Sequence, residues 1–362
     1  MSSHTPSLII LKSLEPDLAS ALVERSVDAR DIEDITEAVT SVHGMPRNNL
    51  LAALRSIMLT DKATAEDMRL IAPRLREVTR ALASSPLPDK PEPHDFVFVA
   101  RRFLADQRRY RPALDHVIPI LADHSKRHGS SALGLADIII RGLESGSFSP
   151  TKLAAPAKAI SERFLSLGDA GRGDELWELK HLLNTGLESH AVTAKNLEPS
   201  MERLQKMISS HPSEGIKPRI SQLLYAGMTP LEGHKNAFGP KTFFPSAEAL
   251  FDYVEATSKR GSLDMGAEKA LKEALKARRL TGRSLTRVLK HIASHSGTHH
   301  PTQLMQSALD IKRDLHIPWS KVMAYQNKFI KEGHFPVPGS VAQYHKQVVQ
   351  QRKTKERERK KR

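Results

Sequence analysis

The residues best placed to do chemistry in this chain are cations. Lys269, Lys272, Lys276, Arg279, Arg283, Arg287 and Lys290 recur at intervals of three and four. On one continuous helix that spacing would align them in a single stripe, because residues three and four apart share a face. The opposite face would hold Ala270, Leu271, Ala274 and Leu275, then Leu285, Val288, Leu289 and Ile292. Thr281-Gly282 is a break signal, so two adjacent faces are the other arrangement open to the series. Lysine and arginine so spaced can follow a phosphate backbone, and arginine can grip phosphate with two parallel bonds. A solvated helix face is the usual fate of a charge run. Here only Glu268 and Glu273 are interleaved in the first helix, which favours binding. A second cationic block closes the chain: Arg352, Lys353, Lys355, Arg357, Arg359, Lys360, Lys361 and Arg362, with Glu356 and Glu358 among them. This tail has no apolar residue, so it is expected to be solvated or disordered when free. It suits RNA contact by counterion release, with little sequence specificity. A nuclear-localisation patch or a solubilising end has the same composition.

Other chemistry finds less support. His291, His295, His299 and His300 form the densest histidine group, and His291 and His295 are four apart. No carboxylate lies between His291 and His300, so capping or phosphate contact suits them better than a metal. The acidic group Asp28, Asp31, Glu33, Asp34 and Glu37 could be imagined as a metal site; its place at a helix start is explained by the macrodipole. Gly168-Asp-Ala-Gly171-Arg-Gly173 has no strand before it and reads as a turn between helices. No Walker loop, nucleophile elbow or dinucleotide-binding turn is present, and no nucleophile has both a base and an orienting partner in view. The expectation is a protein that is not an enzyme and needs no cofactor or small-molecule ligand.

Composition sets the scaffold that positions these cations. The chain has 362 residues, no cysteine and 5% aromatics. Its core must therefore be mostly Leu, Ile, Val and Ala, which suits helices packed on helices. Disulfides, thiolate zinc sites and cysteine nucleophiles are excluded. No apolar run reaches the roughly 18–20 residues that span a bilayer. The first residues lack both a secretory apolar stretch and an arginine-rich presequence. The net charge of +14 is unevenly spread: Lys259–Arg362 carries 24 Lys and Arg against 8 Asp and Glu, whereas residues 1–258 carry 31 against 33. A neutral scaffold joined to a polyanion-binding end is the natural reading.

Periodicity and punctuation give the elements. Residues 1–85 read as helices divided at Pro16 and at His43-Gly44-Met45-Pro46, with a capping signal at Thr64 and Asp67. Residues 86–94 form a proline-rich linker. Residues 95–211 read as three helical pairs, the first turning near Arg111-Pro112. The period of about 35–41 residues predicts an all-α chain stacked as helical hairpins in the manner of an α-solenoid. An irregular helical bundle has the same helix lengths. Residues 212–246 are a proline- and glycine-rich connector, where Phe238, Phe243 and Phe244 lie near Lys235 and Lys241. Those rings either stack bases or, the commoner use, plug the loop onto the core. Residues 247–351 form a basic helical region whose last helix spans Val341–Gln351, and residues 352–362 the basic tail.

Three segments each open a pair: Phe96-Val-Phe-Val-Ala-Arg-Arg-Phe-Leu, Leu135-Ala-Asp-Ile-Ile-Ile-Arg-Gly-Leu and Leu176-Trp-Glu-Leu-Lys-His-Leu-Leu. Each is followed by a second helix containing Leu or Pro. Over residues 95–208 this resembles the degenerate helical-hairpin repeats of organellar RNA-binding proteins, the octotricopeptide and FAST-kinase-like groups. No invariant signature of those groups is met, and the nuclease-like terminal domain many of them carry is not visible. The resemblance implies RNA binding in an organelle such as the mitochondrion. Charge and pattern together lead to the expectation of an RNA-binding structural or assembly component of a ribonucleoprotein, with the neutral repeats meeting other proteins of the complex. The alternative is a helical scaffold or secreted bacterial effector that binds host proteins, its basic end meeting an acidic partner or acidic membrane surface.

Overall fold

A computed structural model describes residues 6–84, 92–104, 107–209, 217–228, 246–258, 265–276 and 282–361. Among the described residues there are helices and turns but no strand, as the apolar periodicity predicts. The chain divides into two compact units, Met1–Lys180 and His181–Arg362. Most of the proline-rich linker lies outside the described residues.

The N-terminal unit holds α1 (Pro6–Leu14), α2 (Pro16–Glu24), α3 (Ala29–Thr40), α4 (Met45–Leu59), α5 (Ala65–Ala83), α6 (Pro93–Leu104), α7 (Gln107–Glu144) and α8 (Ala154–Asp169). Pro16 and Pro46 stand in the first turns of α2 and α4, where a missing N–H costs nothing. Thr64 and Asp67 form a reciprocal capping box: the Asp67 N–H donates to the Thr64 hydroxyl, and the Thr64 N–H to the Asp67 carboxylate. One boundary differs from expectation. Arg111-Pro112 is not a turn but lies inside α7, and the interruption falls later, where His128 leaves helical geometry at φ −142°, ψ 72°. Pro112 and Pro119 both lie inside α7, and each removes one helical hydrogen bond.

Helices in this unit pack on their second neighbours. α1 meets α3, α2 meets α4, α3 meets α5, α4 meets α6 and α5 meets α7. This is the contact pattern of stacked helical hairpins, in which each pair buries its apolar face on the next. Leu18, Leu22, Ile35, Leu50, Leu54, Ile57, Met68 and Leu75 are wholly buried between them. The turn after α7 is tight. Phe148 lies so close to Gly142 that a Cβ there would stand 2.1 Å from the ring, while the Phe148 N–H donates to the Gly142 carbonyl at 2.8 Å.

Charge sets the register of α3 on α5. Arg69 reaches Asp28 at 3.0 Å, Arg76 reaches Asp34 at 2.5 Å, and Arg80 pairs with Glu37. The acidic start of α3 is thus one side of an inter-helix ladder, a partner set that the macrodipole argument overlooked. Burial, followed by the neighbouring charges of Asp28 and Asp34, raises the Asp31 carboxyl above its ordinary range.

The C-terminal unit takes up the chain within α9 (Gly173–Glu188). It continues through α10 (Leu197–Ser209), α11 (Lys217–Met228), α12 (Ala247–Ser258), α13 (Met265–Lys276), α14 (Gly282–Ser294), α15 (Pro301–Leu315), α16 (Trp319–Lys331) and α17 (Pro338–Lys361). Second-neighbour packing returns: α10 on α12, α12 on α14, α14 on α16, and α11 on α13, α13 on α15, α15 on α17. Ser246 caps α12, accepting from the Ala249 N–H at 3.3 Å. The last helix departs from expectation. The predicted Val341–Gln351 helix and the tail expected to be disordered form one helix to Lys361. Helix nucleation is the costly step, and the packed turns before Gln350 have already taken it. Arg, Lys, Gln and Glu then propagate the helix readily.

Candidate nucleic-acid interface

The cationic series is split between two helices. Lys269, Lys272 and Lys276 belong to α13, and Arg283, Arg287 and Lys290 to α14. α13 ends at Lys276 and α14 begins at Gly282; Thr281 lies outside the described residues. α13 packs on α11 and α15, while α14 packs on α12 and α16. The two groups therefore stand on helices that alternate in the packing, and no single stripe joins them. Arg279, with Phe238, Phe243, Phe244, Lys235 and Lys241, lies outside the described residues.

Within each helix the amphipathic division is as expected. Ala270, Leu271 and Ala274 of α13 are buried, as are Leu285, Val288, Leu289 and Ile292 of α14. Lys269, Lys272, Arg283, Arg287 and Lys290 are exposed. Their electrostatic situations differ. Lys272 is paired with Glu268 one turn earlier at 2.5 Å, and Lys290 with Glu248 of α12 at 2.9 Å. The bond from Lys290 holds the Glu248 carboxyl below its ordinary range. Lys269, Arg283 and Arg287 have no carboxylate partner among the described residues.

The terminal helix concentrates the unpaired charge. Its first turns are packed: Val341 is buried, and Tyr344 meets Tyr325 edge-on at 5.5 Å and Phe329 at 6.1 Å. Tyr325 and His345 share a 2.8 Å hydrogen bond, and the Lys328 ammonium stands 4.8 Å over the Tyr344 ring. Beyond Val349 the helix leaves the core. Arg352, Lys353, Lys355, Arg357 and Arg359 are all exposed, and none forms an ion pair among the described residues. Lys360 and Lys361 occupy the last turn, and Arg362 is outside the described residues. The tail is thus solvated as expected, but ordered.

Three further exposed lysines, Lys321, Lys331 and Lys346, have no carboxylate partner among the described residues. They are not part of a long three-and-four series like the main one. Only the regional charge balance could have pointed to them.

The histidine group contributes less than its composition suggests. Burial, followed by the neighbouring His295 and opposed by Gln326, lowers the His291 pKa to about 4. His291 is therefore neutral at pH 7 and adds no charge toward phosphate. Its ring lies 4.7 Å from that of His295, and His299 meets Phe335 edge-on at 5.6 Å. Among the described residues no group of three or more His, Asp or Glu is arranged to hold a metal ion. The Gly168–Gly173 segment is a turn between α8 and α9, with Gly171 at φ +69° and the Arg172 N–H donating to the Leu167 carbonyl at 2.9 Å. Among the described residues no helix is long and apolar enough to cross a membrane. No protein-family model, curated protein or solved structure matches the chain.

Proposed function

We propose that this chain binds RNA as a structural or assembly component of a ribonucleoprotein, with phosphate contacts supplied by its C-terminal unit. The observation that carries this reading is the solvent-exposed, unpaired charge of α17 from Arg352 to Arg359. A surface cation that ends on an acid of the same protein is less available to an outside anion. These do not, and Arg283 and Arg287 on α14 add two more unpaired guanidinium groups. Their partner is a polyanion whose bound counterions they displace. The neutral hairpin stack of the N-terminal unit is the surface for proteins of the same particle, and the organellar setting follows from the repeat resemblance alone.

An anionic membrane is the competing polyanion. A helix that lies in a lipid interface needs an apolar face. From Gln350 to Lys361, α17 has no apolar residue. RNA is therefore preferred over lipid.

The test is a salt series of binding to single-stranded RNA, structured RNA, duplex DNA and phosphatidylserine-containing vesicles. It compares the full-length protein with a variant whose eight tail cations, from Arg352 to Arg362, are replaced by glutamine. RNA preference with a steep salt slope that flattens in the variant supports the proposal. Equal binding to all four ligands, or an unchanged slope, overturns it.

A further inference from the structure

Resting on the RNA-binding reading, we infer that the projecting part of α17 docks as a preformed helix in a widened major groove of structured RNA, at a bulge or internal loop, and not along a single strand. Three observations lead there: the distribution of charge around the helix, the way the helix is held, and its width.

At 100° per residue, the five cations Arg352, Lys353, Lys355, Arg357 and Arg359 occupy an arc of about 200°, with Glu356 within it. Gln351, Thr354 and Glu358 fill the remainder. A helix lying on a flat anionic surface uses about a third of its circumference, and the charges beyond that arc find no partner. A charge distribution this broad is complementary to a site with phosphates on both flanks and beneath, which is what a groove offers. The uncharged and acidic arc then faces the groove mouth. The absence of any apolar residue from Gln350 onward removes the alternative of an interfacial helix.

The helix is also pre-organised. Tyr344, held by Tyr325 and Phe329, and the Tyr325–His345 hydrogen bond fix its base, and Val341 is buried. The free part, Gln350–Lys361, extends about 18 Å at 1.5 Å per residue. A rod that is already helical avoids much of the ordering cost of a disordered tail, and the gain applies only to a ligand that accepts a helix. A single strand gains little from the rod's shape.

Width selects among duplexes. A helix with its side chains is about 10–12 Å across. The major groove of regular A-form RNA is too deep and narrow for protein side chains to read. Unpaired nucleotides that open the groove are therefore required if RNA is the ligand. B-form DNA, whose major groove is about 12 Å wide, is the geometric competitor.

The experiment measures full-length protein against four probes of matched length: single-stranded RNA, a perfect RNA duplex, the same duplex carrying a three-nucleotide bulge, and the DNA duplex of the same sequence. Each is repeated with Thr354→Pro, which breaks the helix beyond its packed base while every charge is kept. The expected result is at least tenfold tighter binding to the bulged duplex than to the perfect duplex or the single strand. Thr354→Pro should reduce the bulged probe to the level of the single strand. Equal affinity for bulged and single-stranded RNA, or a bulge preference that survives Thr354→Pro, overturns the groove inference and leaves RNA binding standing. Tighter binding to the DNA duplex than to every RNA, or no binding to any RNA, overturns the RNA reading itself.

Discussion

Arginine is used in opposite ways in the two units. In the N-terminal unit Arg69, Arg76, Arg80, Arg101, Arg102 and Arg127 each end on a carboxylate of another element, Asp28, Asp34, Glu37, Asp61, Asp137 and Asp169 in turn. That unit has 24 Lys and Arg against 25 Asp and Glu, so nearly every base has an acid available. The C-terminal unit has 31 against 16. Arg203 is still paired there, with Asp252 at 2.6 Å and Glu255 at 2.8 Å, and so is Arg313, with Asp310 and Asp314 at 3.0 Å. Arg283, Arg287, Arg352, Arg357 and Arg359 reach no carboxylate among the described residues. One residue type thus mainly staples helices in one unit, whereas in the other Arg203 does so and Arg283, Arg287, Arg352, Arg357 and Arg359 face outward. Local acid supply, more than the arginines themselves, decides which role each plays.

This contrast can be broken at several points. The largest effect is expected from the tail. Replacing all eight of its cations with glutamine should weaken RNA binding on the order of a thousandfold at low salt. Anisotropy titrations measure it, and urea unfolding of the same variant should be unchanged because the segment is exposed. In the N-terminal unit the effect should appear in stability instead. Asp34 is 2% exposed beside Arg76, so Asp34→Ala leaves a guanidinium without its buried partner and should cost about 3 kcal/mol in urea unfolding. RNA affinity should not change, and a matching loss of affinity would sink the division of labour.

A pH series sharpens the same comparison. His124 is fully buried between the hydroxyls of Ser161 at 2.9 Å and Ser131 at 2.5 Å. Burial, followed by the charges of His128 and Arg127, lowers its pKa to about 4. The folded value is below the unfolded value, so the unfolded chain takes up the proton first. The His124 contribution is complete above about pH 6.5 and is lost as pH falls toward 4. Between pH 7 and 5 this amounts to about 2 kcal/mol. His124→Asn should remove that part of the pH dependence, and an identical slope in the variant would refute the assignment. The smallest effects concern α14 and α13. Arg283→Gln with Arg287→Gln should reduce RNA affinity roughly fivefold and lower the salt slope by about two. Lys272→Gln should change it less than twofold, because Glu268 already neutralises that lysine. A Lys272 effect equal to that of the arginine pair would mean that the ion pairs do not govern availability.

Much of the architecture was readable before any coordinates. The Thr64–Asp67 capping box and the prolines opening α2 and α4 are local signals, carried by a few adjacent residues. The errors came where a local signal met a longer-range one. Pro112 reads as a turn signal, yet α7 runs through both it and Pro119. The tail looked disordered because it has no apolar residue to pack, yet its helix is inherited from Tyr344 and its neighbours. The break signal at Thr281-Gly282 leaves the cationic series open to two adjacent faces, but spacing along the chain does not say that the two helices take alternate packing positions.

Helix content, helix faces and the concentration of positive charge in the last third were determined by the sequence, because each depends on composition or on contacts within one or two turns. Which cations remain available was decided by tertiary structure. Lys290 lies 42 residues from the Glu248 that neutralises it, and Arg76 lies 42 residues from Asp34. Such pairs form only when packing brings two helices together, and no spacing rule along the chain encodes that distance. The same holds for α17: its cations are written in the sequence, but their presentation on an ordered rod depends on the aromatic contacts at its base.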